Sequence, residues 1–494
     1  MNQSNFKFGI PVFLFMLFAF LAPANAQDWE HEYQKRLEEQ RRKFEQYKNA
    51  QQQSFDDYKK AAEAKFAAYG EQMRKKWEEY HTQTGIKSPE FPEPVSQPVK
   101  QATTQSVAQA LPVASVQASA STDLPVVPAM PTENKVLSMR NNAFHFTYYH
   151  TKCTVHMGSE YQFALSSVDE SHCADAWSKL SHLRPEELIA DCLALKDSLN
   201  LGDWGYIQLV KKLADTYYKD ANASNLFQMF LLVGSGYKVR IGRVNYKLTL
   251  LFPFDCMVYD YCFIEIDGEN YFLMADDIPT CTVFKMKFDG ERNPSLLQSG
   301  PPALAYSPAK ERTFPMRGDT TLRVRPNKNL IDFYADYPHN DRWDYYTRTS
   351  LSHEVKSALY PYLLTKISDM SRQNAVDYLL HFVQNSFSYK TDGAQFGYER
   401  PLFGEESFYF PYNDCEDRAI LFAVLVNELL DLDVVLLEYS GHLSAGVHLD
   451  GDLAGSYYEL NDGRYYSCDP TYIGAGIGDV MPNYAMAKAK IIRI

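Results

Sequence analysis

One order of elements occurs twice in this chain, and it restricts the fold more than any other feature. In the second occurrence, an apolar run from Cys415 to Leu430 leads to "DVVLLEY", to a further strand from His442 to Leu449, and to the hairpin "YYELNDGRYYSCDPT", which turns at Asn461, Asp462 and Gly463. In the first, "NLFQMFLLVGSG" leads to "YKVRIGRV", to "KLTLLF" and to the hairpin "CFIEIDGENYFLM". A single shift, 463 − 268 = 195, registers the two without a gap: Leu226 and Phe227 fall on Leu421 and Phe422, Val239 on Val434, and Asp267-Gly268 on Asp462-Gly463. Helices segregated from antiparallel hairpins imply the α+β class twice over. Identities are few, so two ordinary α+β units that look alike by chance are the alternative to an internal duplication.

The rest of the 494 residues divides by composition. Residues 1–26 read as a signal peptide, with Lys7, an apolar stretch from Phe8 to Leu21, and "ANA" ending at Ala26 as the cleavage site. The apolar stretch is short of the roughly 20 residues that span a bilayer, and no later run reaches that length. Export follows as the expectation, to a periplasmic or secreted location, with no transmembrane segment after cleavage. No cysteine stands just after the cleavage site to carry a lipid.

Residues 27–85 predict a long amphipathic helix. Its aromatic residues return every 11 positions, at Phe44, Phe55, Phe66 and Trp77 and at Tyr47, Tyr58, Tyr69 and Tyr80. Eleven residues fill three turns at about 3.67 per turn, so the stripe stays on one face of a rod roughly 85 Å long. A rod cannot bury such a stripe against itself, which predicts a homo-oligomer through this helix or a partner-binding arm. Its 12 acids and 12 bases leave no net charge, and the whole chain carries −13, which argues against nucleic acid as a partner. Residues 86–134, rich in Pro, Ala and Ser, predict a disordered linker. The globular part then divides into 135–293, a connector 294–345, and 346–494.

Acyl transfer by a thiol needs an ionisable sulfur, a base and an acceptor that orients the base. Cys415 lies at a helix start, where free N–H groups and the dipole favour a thiolate. A free thiol is only about 3% ionised at pH 7, and lowering its pKa by two units takes about 2.7 kcal/mol of differential stabilisation. His442 opens a strand, and Asp469 closes the following hairpin in "CDPT", where Pro470 ends the strand. Neighbouring antiparallel strands can set a His and an Asp side by side.

"DCEDRA", "GHLSAGVHL" and "CDPTY", in that order, resemble the core of the transglutaminase-like superfamily, relatives of papain-type thiol enzymes. The upstream "LLHFVQNSFSYKTDGAQFGYE" resembles the lead-in of bacterial members, so the likeness covers about Ala375 through Pro482. The resemblance implies a transglutaminase-like (papain-like) catalytic domain over 346–494, with Cys415 as nucleophile, His442 as general base and acid, and Asp469 as its orienter. It also implies an oxyanion site at the Cys415 N–H, with Gln395 or Tyr389 as side-chain candidates. Asp414, Glu416 and Asp417 oppose ionisation of the thiol unless Arg418 or backbone donors compensate. Ser444 stands where the family usually has an aromatic residue, and no calcium-loop pattern is present.

Under the shift of 195, Cys415 falls on Asp220, His442 on Lys247 and Asp469 on Met274, so 135–293 is expected to be a degenerate copy without the triad. His448 reads as a groove histidine in preference to a second base or metal ligand, and Cys468 as core packing. No metal or cofactor is implied. The function expected is an exported cysteine peptidase or amidase acting on a protein or peptide through a thioester, with transamidation as the variant of the same chemistry. The alternative is a non-catalytic envelope or assembly protein that binds a partner through the degenerate domain and the rod, Cys415 then being a structural thiol or half of a disulfide.

Overall fold

The structure, a computed structural model, describes residues 109–110, 113–117 and 142–494, except 184, 260, 275–280, 285–287, 289 and 317–319. All of these belong to one compact unit that begins at Phe66. The expected signal peptide and the expected aromatic-striped helix lie outside the described residues. Within them the chain is mixed α+β, and strands are numbered in chain order: β1 Gln109–Ala110, β2 Val113–Gln117, β3 Ala143–Tyr148, β4 Thr151–His156, β5 Arg240–Val244, β6 Lys247–Phe252, β7 Phe263–Ile266, β8 Glu269–Leu273, β9 Thr282–Val283, β10 Arg312–Met316, β11 Thr320–Val324, β12 Ser388–Tyr389, β13 Tyr412–Asn413, β14 Val434–Tyr439, β15 His442–His448, β16 Ser456–Leu460, β17 Gly463–Cys468 and β18 Ala489–Arg493.

The doubled order seen in the sequence is a doubled topology. The first sheet runs β7-β8-β6-β5-β9, and β16-β17-β15-β14-β18 repeats that order in the second. Arg240 pairs with Leu251 and Val435 with Gly446, each 195 positions on. In the hairpins, Ile266 pairs with Glu269 and Leu460 with Gly463, each 194 positions on. Phe252↔Phe272 and Val447↔Tyr466 combine the two shifts. The single gapless constant therefore needs correction by one residue, lost in the connection between the second strand and the hairpin. Asp267-Gly268 matches Asn461-Asp462, and the counterpart of Asp469 moves to 275, outside the described residues.

Each sheet is backed by a helix whose start is fixed by an aspartate. Asp220 caps Ala221–Gly234 by accepting from the Ala223 N–H at 2.8 Å. At Cys415–Leu430, Asp417 Oδ2 reaches back to the Asp414 N–H at 3.2 Å, one half of a capping box. That helix is apolar on nearly every side because it is buried from Glu416 to Val426, and it stops at Asp431, whose φ of 52° is left-handed. Strand alternation sorts β14 between two cores. Val434 and Leu436 pack under the Cys415–Leu430 helix, while Val435, Leu437 and Tyr439 face a second cluster with Tyr458, Tyr465, Ala489 and Ile491.

The second cluster exists because the sheet curls on itself. Tyr439 of β14 and Tyr458 of β16, two strands removed, share a hydrogen bond of 2.7 Å between their hydroxyls. Arg493 of β18 forks onto Asp462 in the β16–β17 turn at 2.6 and 2.8 Å. Between these two edges run β1, parallel to β16, and β2, parallel to β18. Two stretches that composition assigns to a disordered linker are thus strands. Backbone pairing supplies their order, and it leaves little mark on side-chain composition.

Candidate functional site

The lead-in to Cys415 is set by a short parallel pair, Ser388↔Tyr412 and Tyr389↔Asn413. It delivers Asp414 and Cys415 to the helix start beside Tyr389. His442 is set by the two-residue turn between β14 and β15, where Tyr439 pairs with His442 and Gly441 takes the positive φ of 74° that the turn requires. Asp469 follows β17 at the corner made by Pro470.

The imidazole and the carboxylate meet. His442 Nε2 lies 2.8 Å from Asp469 Oδ2, and both side chains are buried. The other oxygen, Oδ1, accepts from the N–H groups of Thr471 at 2.9 Å and Tyr472 at 3.2 Å, so the carboxylate is held from behind. Gln384 fixes the same corner: its amide nitrogen donates to the carbonyls of Asp469, Tyr472 and Ala475 at 3.0 Å, and its oxygen accepts from Gly474 N–H at 3.1 Å. The imidazole ring lies nearly parallel to Tyr484, centroids 4.9 Å apart, and to Tyr439 at 6.1 Å. With Nε2 committed to Asp469, Nδ1 is the nitrogen available for a reacting proton.

The sulfur's tie to this strand is electrostatic: the backbone N–H of Leu443, next in the chain to His442, favours the Cys415 thiolate. Its side-chain partner is Glu416, with Sγ to Oε2 at 3.0 Å. Cys415 is half-buried and is not in a disulfide, as holds for each of the eight cysteines, Cys153 through Cys468. Burial pushes the thiol well above its ordinary range, and the Glu416 and Asp414 carboxyls add to this. The helix-start thiolate expected from the sequence is therefore a neutral thiol here.

Arg418 offsets the acids only in part: Asp414 and Asp417 favour its charge, while it donates to carbonyls. Fully buried, it donates to the carbonyl of Phe387 and to that of Pro470 at 3.4 Å, and burial pushes it down to about 10. The acids respond by holding protons. Burial, then the neighbouring Asp417 and Glu416, pushes Asp392 up to about 9. Asp414, Glu416 and Asp417 are raised for the same first reason. Asp392, Asp414 and Asp417 bring one carboxylate oxygen each within 4.8 Å of one another, as do Asp392, Glu399 and Glu416. Among the described residues these are the groups that could hold a cation, and Asp414 Oδ1 and Glu416 Oε1 are buried without a hydrogen-bond partner.

Of the oxyanion candidates, Gln395 directs its nitrogen to the Tyr412 carbonyl at 3.5 Å. Tyr389 is raised by burial and then by Cys415, which puts its hydroxyl in the electrostatic field of the sulfur. Arg418 lies over its ring at 5.6 Å. His448 packs on Tyr465, centroids 5.3 Å apart, and Cys468 is core. Sequence reasoning assigned no role to Gln384, Tyr439 or Tyr484. Tyr484 lies 15 positions past Asp469 in a loop with no periodicity, and Gln384 sits inside a helix where a buried amide reads like any polar residue.

In the first unit the same places hold different groups. Asp220 is the helix cap, as Asp414 is in the second unit, so Ala221 stands at the first helical position that Cys415 holds there, and exposed Lys247 opens β6. The chain matches no protein-family model, no curated protein and no solved structure.

Proposed function

We propose that the chain is an exported thiol enzyme that cleaves, or transfers, an amide bond through a thioester on Cys415, most simply a peptidase or amidase. The observation that carries this reading is the buried His442–Asp469 hydrogen bond, on a strand that packs against the helix begun by Cys415. The proton on sulfur passes to His442 Nδ1 as the sulfur attacks the carbonyl carbon. Asp469 stabilises the imidazolium, the C–N bond breaks as the leaving amine takes that proton, and water or a second amine then attacks the thioester. The Cys415 N–H and the Tyr389 hydroxyl are the groups assigned to the oxyanion. Because the resting thiol is neutral, ionisation is coupled to attack and does not precede it. Slow alkylation at neutral pH is expected alongside turnover.

A second reading has its own observation: a thiol bonded to Glu416 in an acidic, half-buried pocket also suits a binding protein with a residual sulfur. Hydroxylamine separates them, since it traps an acyl-enzyme as a hydroxamate. With a mixture of unfolded proteins as substrate, the wild-type chain should yield hydroxamates that Cys415→Ala and His442→Ala do not. Equal yields from all three would leave only the binding role.

A further inference from the structure

The seven strands of the second sheet, in the order β1-β16-β17-β15-β14-β18-β2, would be about 29 Å wide if laid flat, from six spacings of about 4.8 Å. Its two outermost strands are separated in sequence by Leu111 and Pro112 alone, and three residue steps reach about 11 Å at most. The sheet is therefore closed: Gln109–Ala110 lie on β16 and Val113–Gln117 on β18, two residues apart in the chain. Both pairings are parallel, as one segment requires when β16 and β18 run the same way: Gln109↔Ser456 and Ala110↔Tyr457 on one side, Val113↔Ala489 and Ser115↔Lys490 through Gln117↔Ile492 on the other.

Two side-chain links that do not involve residues 109–117 also join the two sides of the gap. The Tyr439–Tyr458 hydroxyl pair crosses the interior, and the Asp462–Arg493 fork joins the far ends of the two edges. In the first sheet the matching edges, β7 and β9, receive no added strand among the described residues. The inserted segment also lies next to the candidate site on both sides. β18 begins five residues after Tyr484, which stacks on His442, and β16 is paired with β17, which ends at Cys468 beside Asp469.

We propose that the gap between β16 and β18 is a strand-binding slot, that its ligand is the chain's own segment Gln109–Gln117 docked in parallel, and that docking steadies Tyr484 against His442. The segment acts as a strap between the N-terminal region and the shelf that carries the imidazole. Slot pairing rests on backbone geometry alone and stands whether or not the chain is an enzyme.

A cysteine pair tests occupancy in the full chain. Ser115 and Lys490 are direct neighbours, so Ser115→Cys with Lys490→Cys should oxidise to a bond between those two positions within one molecule, located by peptide mapping. A bond between two molecules, or none, overturns the proposal. Deleting residues 107–119 tests the ligand. Amide exchange at 456–457 and 489–492 should quicken at least tenfold, and a synthetic peptide of residues 107–119 should restore it where a scrambled peptide does not. If the deleted chain does not fold, Ser115→Pro with Val116→Pro in the full chain should give the same quickening. Unchanged exchange, or equal rescue by both peptides, overturns the assignment.

Discussion

The two sheet units share strand order and pairing register but use buried charge in opposite ways. In the first, Asp203 is surrounded by donors: Lys196 at 3.0 Å, Tyr237 at 2.6 Å, Arg292 at 2.6 and 3.0 Å, and the N–H of Ser295 at 3.0 Å. Burial works to raise its carboxyl, but the Arg292 hydrogen bonds with Lys196 outweigh it and hold the group well below the ordinary range. In the second, four buried acids gather beside Cys415 while Arg418 faces carbonyls and Arg400 is spent on Glu406. There burial prevails and the acids are raised. A saturated charge cluster serves cohesion, whereas buried acids that hold protons beside a thiol oppose it and collect where chemistry is expected.

The contrast can be broken first at the sulfur. Cys415→Ala or His442→Ala should lower amide turnover by about a thousandfold or more, and Lys247→Ala at the matching place in the first unit should leave it unchanged. Comparable losses at both places, read by product release, would end the distinction between an active and a degenerate unit.

Stability gives the next largest effect. Asp203→Ala strands Arg292 and Lys196 in a buried site and should cost about 3–5 kcal/mol in urea unfolding. Removing Arg400, which has one carboxylate partner in Glu406, should cost less.

The two units should also respond to pH with opposite signs. Asp203, depressed in the fold, contributes stability above its unfolded pKa of about 3.9, lost as pH falls below that value. Glu405 is pushed up to about 7, first by burial, and Asp392 to about 9. A raised carboxyl contributes stability below its unfolded pKa of about 4, and that contribution is lost as pH rises through about 7 for Glu405 and about 9 for Asp392. Amide exchange at pH 5 and pH 8 should find the second unit better protected at the lower pH, and the first unit little changed over that range. The same slope in both would show that the acids do not hold protons.

The smallest effect sharpens the structural kinship. Asp220→Ala removes a helix cap worth about 1 kcal/mol and should leave turnover untouched, though Asp220 caps the helix that matches the one begun by Cys415. A thermal melt with an activity assay on one sample checks both halves.

Much of this was legible in the sequence because it is written in side chains. The apolar run after Cys415, the alternation of β14 and the turn at Gly441 announce a helix and a hairpin, and the order Cys, His, Asp-Pro follows from them. The one-residue slip between the units was hidden because Asp-Gly and Asn-Asp serve a tight turn equally well. The inserted segment at 109–117 was hidden because parallel edge pairing is made by the backbone. The neutral thiol was half legible: the acids were visible, but Arg418's choice of the Phe387 and Pro470 carbonyls depends on the folded chain.

That choice has mechanical weight. One guanidinium grips the segment before Tyr389 and the corner after Asp469 from the first turn of the helix that carries the sulfur, so nucleophile and carboxylate ride on a single rigid block. The imidazole's strand is bound into the same block, since β15 pairs with β17 from Ala445↔Cys468 to His448↔Tyr465 and His442 is bonded to Asp469.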